Sequence, residues 1–553
     1  MKKILILGAG TAGALIANML SSKLARDEWA ITVVDRATEH VYQPGMLFLP
    51  FRLYGYERRE HITRPIRDPL PRNARFIQAE VESIDTAARR VQTSGETLEY
   101  DWLVLALGCR LGTGEIDGLS TAMDSGGAHT FYSVDGALRM QQALADLDRG
   151  RLVLNIADMP IKCPVAPIEF VFLADYYYQR LGRRDRISIT LVTPLSGAFT
   201  KPVASEILTD VARRKGIEIV TDFTVERLDA QTNTLHSFEG KSVGYDLLCM
   251  IPPNLGPSVL TDAGLADESG YALTDPRTLK SRKDEHVYVI GDNSNVATSK
   301  AGSVAHFEAE TLVENLLREM DGRKPLASFD GHANCFVETG HHKAMLLDFN
   351  YDVEPLPGKF PLPWIGPLSL LQESYLNHWG KILFKWAYWN LLLPGRLSRM
   401  PLLTAHMSFL GKDITRAAQV RRAHSTPVKN FMVKKVISIQ QGRPLSEAAT
   451  LLTKYHVSGL PVVDVDERLV GMLTEADFLS ALDVHHPRRK KSMGTIVDDL
   501  MTSHPITLRA EDTLETAIER METDRIKQLI VINDERRIQG IITRGDLVRL
   551  FAD

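Results

Sequence analysis

The chain is short of several things. It has four cysteines in 553 residues, too few for a disulfide scaffold; a bonded pair among them would point to redox chemistry instead. It has no excess of either charge, and a net charge of −4 argues against a general nucleic-acid binder. No apolar run reaches the roughly 18 uninterrupted residues that a membrane-spanning helix needs, and no stretch reads as a secretory signal. The expected location is therefore cytoplasmic. No metal site is expected. What remains is ordinary for globular protein: 44% apolar and 24% charged residues, in a length suited to three or four domains.

The opening stretch organises the rest. Lys2 to Leu7 is a short apolar run of strand length. It enters Gly8-Ala9-Gly10-Thr11-Ala12-Gly13, then a pattern that predicts a helix through Leu24, then a strand from Trp29 to Val34 closing on Asp35. Strand, glycine loop, helix, strand and acid make a dinucleotide site. Gly8 allows the tight turn, Gly10 admits a pyrophosphate, and Gly13 lets helix and strand pack closely. The helix start offers free N–H groups and partial positive charge to phosphate. Asp35 can accept from a ribose hydroxyl. Gly8, Gly10, Thr11, Ala12, Gly13, Asp35 and Arg36 are the expected contacts of this first segment.

Two later segments extend it. The run Tyr100 to Leu107 is a buried strand closing on Gly108, and Val287 to Ile290 is another, ending in Gly291-Asp292. An acid at a strand's carboxyl end is placed for a flavin's ribityl hydroxyl. The three segments together resemble the two-dinucleotide-domain flavoproteins of the disulfide reductase-like kind. That resemblance implies FAD, and Tyr42 to Gly45 lack a cysteine for covalent attachment. The family carries a second Rossmann unit for NAD(P)H. Here the matching stretch, Arg151 to Pro160, has no glycine loop. Asp158 would repel a pyrophosphate, and Pro160 and Pro164 donate no N–H. The following strand, Ile187 to Val192, ends at Thr193 with no acid. The fold is expected to be kept and the nicotinamide site lost.

Where the glycine loop would stand, the chain reads Lys162-Cys163-Pro164-Val165-Ala166-Pro167-Ile168-Glu169. Lys162 and a helix start would both favour a thiolate at Cys163, and Glu169 could move protons. A second cysteine lies in Asn334-Cys335-Phe336-Val337-Glu338-Thr339-Gly340. These two segments, spaced as they are around the FAD motifs, resemble sulfide:quinone oxidoreductases and the flavin subunit of flavocytochrome c sulfide dehydrogenase, over residues 1 to 398. The resemblance implies that Cys163 and Cys335 face the flavin and carry sulfur. Hydrosulfide would attack a disulfide or trisulfide between them, leaving a persulfide, with FAD accepting two electrons. Many quinone-linked members use a third cysteine upstream; here that region reads Thr130-Phe131-Tyr132-Ser133, which leaves a two-cysteine route or a changed sulfur substrate. Cys109 sits beside the FAD strand end, and Cys249 reads as core.

From Pro361 to Leu393 lie Trp364, Trp379, Trp386 and Trp389. Leu371, Tyr375, Trp379, Leu383, Trp386 and Trp389 fall on one helical stripe, with Lys381 and Lys385 placed to snorkel towards headgroups. This reads as an interfacial amphipathic helix, holding the protein peripherally on the inner face of the cell membrane and suiting a quinone acceptor. Phe336 is a candidate quinone-stacking ring. A buried interface helix is the alternative.

The last part repeats itself. Gly471 to Asp477 matches Gly540 to Asp546, with an offset of 69 residues (543 − 474). Each copy reads strand, helix, two strands, then Thr-x-x-Asp entering a helix. This resembles a CBS domain pair of α+β type, and the resemblance implies an AMP- or ATP-like ligand held by Thr474 and Asp477 in one site and Thr543 and Asp546 in the other, with dimerisation through the pair.

The expected fold class is α/β: two Rossmann-like dinucleotide-binding domains, a C-terminal amphipathic helical segment and the CBS pair. Boundaries are expected at 1–115 and 261–330 for the FAD domain, 116–260 for the second Rossmann-like domain, 331–398 for the redox-cysteine and membrane segment, and 399–425 for a linker. The two CBS domains take 426–485 and 493–553. Three functions stay open at this point: sulfide oxidation with quinone reduction, an NADH:quinone dehydrogenase of the type-II kind, and a flavin- or nucleotide-sensing regulator.

Overall fold

The structure is a computed structural model, and it describes residues 1–360, 367–396, 427–434, 436–455, 457–482, 496–524 and 526–543. The chain divides into two units, Met1–Asp413 and Ile414–Asp553. The expected linker, Trp364 and Asp546 lie outside the described residues.

The first unit is built on two parallel sheets. The N-terminal one orders its strands Val287–Val289, Trp102–Leu105, Lys2–Leu7, Trp29–Asp35 and Arg75–Gln78. Lys2–Leu7 sits in the middle because it is apolar on both faces; Ile4 to Leu7 are all buried, as a strand covered on both sides must be. This order brings the carboxyl ends of the Gly8, Gly108 and Gly291 segments to one edge. The first helix runs Thr11–Ser21, three residues shorter than its periodicity predicts, because Lys23 and Leu24 turn back onto the Leu20 carbonyl.

The second sheet orders Ile217–Val220, Ile187–Val192, Gly150–Ile156 and Leu247–Ile251, a Rossmann-like half as expected. Its helix, Ala166–Arg180, is buried continuously from Ala166 to Tyr176. Cys249 is fully buried in the edge strand, in the core position read from the sequence. An antiparallel pair, Ala333–Gly340 with Lys343–Phe349, follows, and helix Tyr375–Ala387 packs over it.

The second unit repeats one ladder. Gly459 pairs with Thr474 and Leu460 with Leu473 in the first copy; Gln528 pairs with Thr543 and Leu529 with Ile542 in the second. The register is the same at an offset of 69 residues (528 − 459), which is the sequence repeat realised as backbone.

Candidate active site

Two glycines fix the loop. Gly8 has φ +105°, and a Cβ there would stand 2.2 Å from the Ala106 carbonyl oxygen; a Cβ at Gly13 would stand 1.8 Å from the Gly8 oxygen. Neither position admits a side chain. Gly10 differs, with nothing within 4 Å of where a Cβ would be. It also caps the first helix with no side-chain hydrogen bond, so the first-turn N–H groups are left for an anion.

The loop opens on a cavity of about 370 Å³. Gly10, Thr11, Ala12 and Asp35 line one end; Gly108, Gly291, Asp292, Cys163, Cys335, Glu169 and Phe336 line the rest. Segments more than 300 residues apart in sequence thus share one wall. Gly8 and Gly13 sit behind the loop. Arg36 is not in the lining: its guanidinium turns outward to Glu80, 3.1 Å away. Asp35 has a second task, since its carboxylate accepts from the backbone N–H of Ala9 (2.7 Å) and Ala37 (2.8 Å). It ties the glycine loop to the neighbouring strand and keeps lone pairs for a ribose.

The lining fits FAD. The Asp292 carboxylate has no hydrogen-bond partner among the described residues, and burial pushes its pKa up while Lys300 and Lys162 pull it down. An unpartnered, half-buried acceptor facing a cavity calls for a donor from a ligand. Lys300 Nζ, itself buried, is held by the carbonyls of Asp292 (3.1 Å) and Ser294 (2.6 Å).

The segment in place of the second glycine loop uses its own N–H groups. Met159 N–H donates to Asp158 Oδ1 (2.7 Å), Lys162 N–H to Asn254 Oδ1 (3.0 Å), and Cys163 N–H to the Lys300 carbonyl (2.6 Å). None of these three is left for a pyrophosphate. Cys163 adopts φ +50°, a left-handed conformation rare for a residue with a Cβ and characteristic of functional sites. Cys335 lies on the strand Ala333–Gly340, opposite Leu347. Both are free thiols.

The expected thiolate at Cys163 is not what this environment makes. Burial pushes that thiol up to about 12, Glu169 adds to the shift, and the cation opposing it is Lys381. Lys162 instead places its ammonium 5.7 Å from the Tyr132 ring centroid. Cys335 is raised further, by burial first and by Cys163 second.

Glu169 is 2% exposed. Its Oε1 accepts from the Glu338 backbone N–H (2.5 Å) and from Lys381 Nζ, which also donates to the Phe336 carbonyl (2.9 Å). Burial raises the Glu169 pKa, and Lys381 pulls it back. Beside them the Glu338 carboxylate meets His378 Nδ1 at 2.9 Å and accepts from the Tyr54 hydroxyl at 3.2 Å. The snorkelling role expected for Lys381 is therefore wrong: it is 8% exposed and faces the cavity. Lys385 is half-buried, its ammonium 4.7 Å from the Tyr56 ring centroid.

The aromatic stripe is real but shorter than expected. Tyr375, Leu376, Trp379, Leu383 and Trp386 are each more than half exposed, whereas Leu371 and Trp389 are buried. Phe336 lies where the helix's inner face meets the cavity, its ring 3.0 Å from where a side chain at Gly380 would begin.

In the second unit, Asp477 Oδ2 accepts from the Thr474 backbone N–H (2.7 Å) and hydroxyl (2.6 Å). Thr543 closes the matching strand Ile538–Thr543, and its expected partner Asp546 lies outside the described residues.

Comparisons with known proteins agree with this architecture. Residues 2–153 match the family model "Pyridine nucleotide-disulphide oxidoreductase", and residues 428–484 and 497–553 each match "CBS domain". A mitochondrial sulfide:quinone oxidoreductase of Dictyostelium discoideum is 27% identical over 402 residues, covering 71% of this chain and 86% of that one. The sulfide-quinone reductase of Aquifex aeolicus is 24% identical over 302 residues, covering 52% and 68%. This chain is similar to the sulfide:quinone oxidoreductases and carries a C-terminal CBS pair. Its fold is that of the solved sulfide:quinone oxidoreductase from Aquifex aeolicus, with a TM-score of 0.61 at 19% identity over 74% of this chain and 96% of the other. Its cofactor is FAD.

Two features were out of reach of the sequence. Lys381 reads as a surface lysine, and its partner Glu169 is 212 residues away. Glu338 and His378, 40 residues apart, carry no motif that links them.

Proposed function

We propose that the first unit oxidises sulfide through Cys163 and Cys335 and passes two electrons, by way of FAD, to a membrane quinone. The observation that carries this reading is the shared cavity: both thiols open on the space lined by the three FAD segments, and the second Rossmann half has no loop for a nicotinamide nucleotide. FAD, when bound, supplies a two-electron acceptor. The protein supplies the rest. The two thiols would first close to a Cys163–Cys335 bridge by giving two electrons to the bound flavin. Hydrosulfide attacks one sulfur of that bridge; a new S–S bond forms on that sulfur as the old one breaks, and the other cysteine leaves as thiolate. Joining the persulfide's outer sulfur to the freed thiolate re-forms a bridge one sulfur longer and releases a proton and the two electrons that FAD would accept. Glu169 and Lys381, joined at the cavity wall, take up the hydrosulfide proton and steady the leaving thiolate.

Anaerobic addition of sulfide, then NADH, to the purified protein tests this. Sulfide is expected to bleach the flavin absorbance and NADH to leave it unchanged. Bleaching by NADH alone overturns the reading in favour of an NADH dehydrogenase.

The acceptor side rests on the exposed stripe Tyr375 to Trp386. Five large apolar side chains on one helix face form the kind of patch that marks a binding surface, and no helix among the described residues is long and apolar enough to cross a membrane. We read it as lying in the lipid interface. Replacing Trp379, Leu383 and Trp386 together by serine is expected to lower partition onto liposomes by at least about tenfold, since each buried apolar side chain contributes about 1.5–3 kcal/mol. Undiminished flotation would assign the face to another protein.

For the second unit we propose an adenine nucleotide at Thr474 and Asp477, with the pair also joining two chains. The Asp477 carboxylate already orders the Thr474 hydroxyl, fixing a diol-recognising edge before any ligand arrives. Millimolar AMP or ATP is expected to raise the melting temperature of the full chain, and Asp477→Ala to remove that rise. No shift with either nucleotide would leave the module a purely structural one.

A further inference from the structure

Helix Tyr375–Ala387 runs on through a π-helical turn, Tyr388–Leu392, and that turn reaches the phosphate loop. The Tyr388 hydroxyl lies 2.7 Å from Thr11 Oγ1 and 2.7 Å from His40 Nε2; His40 Nδ1 lies 3.1 Å from the Ala9 carbonyl. The chain of bonds has one consistent direction. A carbonyl only accepts, so His40 carries its proton on Nδ1 and accepts on Nε2. Tyr388 therefore donates to His40, and Thr11 donates to Tyr388. His40 is 1% exposed; burial, with Arg64 facing it, lowers its pKa to about 4 although the bond to Ala9 opposes this, so the ring stays neutral near pH 7. Its ring packs against Trp389, centroids 5.4 Å apart.

Both ends of this chain matter for a ligand. Ala9 is within the glycine loop and Thr11 opens the first helix, while Tyr388 itself lines the cavity. With the Thr11 proton turned to Tyr388, the loop meets a pyrophosphate through backbone N–H groups, and the tyrosine holds the residue that presents them. The π-helical turn sits at the one point where the helix changes from presenting an exposed aromatic face to burying Tyr388, Trp389 and Leu392; such turns recur at functional sites.

We propose that Tyr388 is a cofactor-site residue supplied by the C-terminal helix, and that the Thr11–Tyr388–His40–Ala9 chain makes FAD retention and docking of residues 375–392 one linked equilibrium. This rests on the assignment of the cavity to FAD and not on the sulfide reaction. Linkage is reciprocal: FAD tightens the helix, and loosening the helix weakens FAD. The membrane-facing element is thereby part of the cofactor cradle, not an appendage to it.

The test uses the full-length holoprotein. In Tyr388→Phe the FAD dissociation constant is expected to rise about tenfold, the usual size of effect when a buried hydrogen-bond partner is removed. Amide exchange over 375–392 is expected to be slow in wild-type holoprotein, faster after FAD removal, and already fast in Tyr388→Phe with FAD bound. Thr11→Val should behave like Tyr388→Phe, and Thr11→Ser, which keeps the hydroxyl, should restore FAD retention. Wild-type FAD affinity in both Tyr388→Phe and Thr11→Val overturns the proposal. So does exchange over 375–392 that ignores FAD in the wild-type protein, a comparison that needs no variant to fold. If sulfide fails to bleach the flavin while these linkages appear, the proposed reaction falls and this inference stands.

Discussion

Cys335→Ser is expected to keep FAD bound and to stop its reduction by sulfide. Serine is nearly the same size, and Cys335 sits on a regular strand paired with Leu347, so the wall should hold its shape. What disappears is the sulfur. A hydroxyl neither forms a bridge with Cys163 nor leaves as a stable anion when hydrosulfide attacks. Loss of a group that bonds covalently to substrate removes the whole route and not a fraction of it, so the rate of anaerobic bleaching should fall by about a thousandfold or more. FAD content and absorbance before sulfide should match the wild type. Bleaching at the wild-type rate would mean that electrons reach FAD without this thiol.

The second large effect concerns Lys381. Its ammonium, Glu169 and the Phe336 carbonyl join helix Tyr375–Ala387 to helix Ala166–Arg180 and to the cysteine-bearing strand. Lys381→Met keeps the stem and removes the charge, leaving a buried carboxylate without its cation. Breaking one side of a buried pair costs about 3–5 kcal/mol. The loss should depend on pH. Without Lys381 the folded Glu169 pKa rises further above its unfolded value, so the carboxyl folds readily when protonated. Stability is then retained below the unfolded carboxyl range and lost as pH climbs through the raised folded pKa. Thermal melts of Lys381→Met with FAD held constant should fall well below wild type at pH 8 and approach it near pH 5. The double variant Glu169→Gln, Lys381→Met should recover most of the difference, because removing both partners leaves no orphan charge. Equal melting temperatures for the single and double variants would deny the pair any structural weight.

The parts of this architecture that could be read from the sequence are those whose chemistry is local. The glycine loop, the strand ending at Gly108 and the Gly291-Asp292 pair each carry their reason within ten residues, and the structure brings all three to one sheet edge. The repeat at 69 residues needed no three-dimensional information. What stayed hidden depends on distant partners. Lys381 is two residues from Trp379 on the opposite helix face; periodicity finds the apolar stripe but not which lysine turns inward to meet Glu169. Tyr388 and His40 carry no motif that links them, since they stand 348 residues apart in sequence. Cys163 departs from its local pattern for a related reason. Its sequence neighbour Lys162 favours a thiolate, yet burial and the Glu169 carboxylate outweigh a cation that points to the Tyr132 ring.

All four thiols share that last condition. Burial raises Cys109 and Cys163 to about 12 and Cys249 and Cys335 higher still, which disfavours a standing thiolate at each of them. Whatever negative charge starts the chemistry has to arrive from solution. With Cys163 and Cys335 bridged at rest, an alkylating reagent at pH 7 should find neither of them, and label one only once a small sulfur anion has opened the bridge.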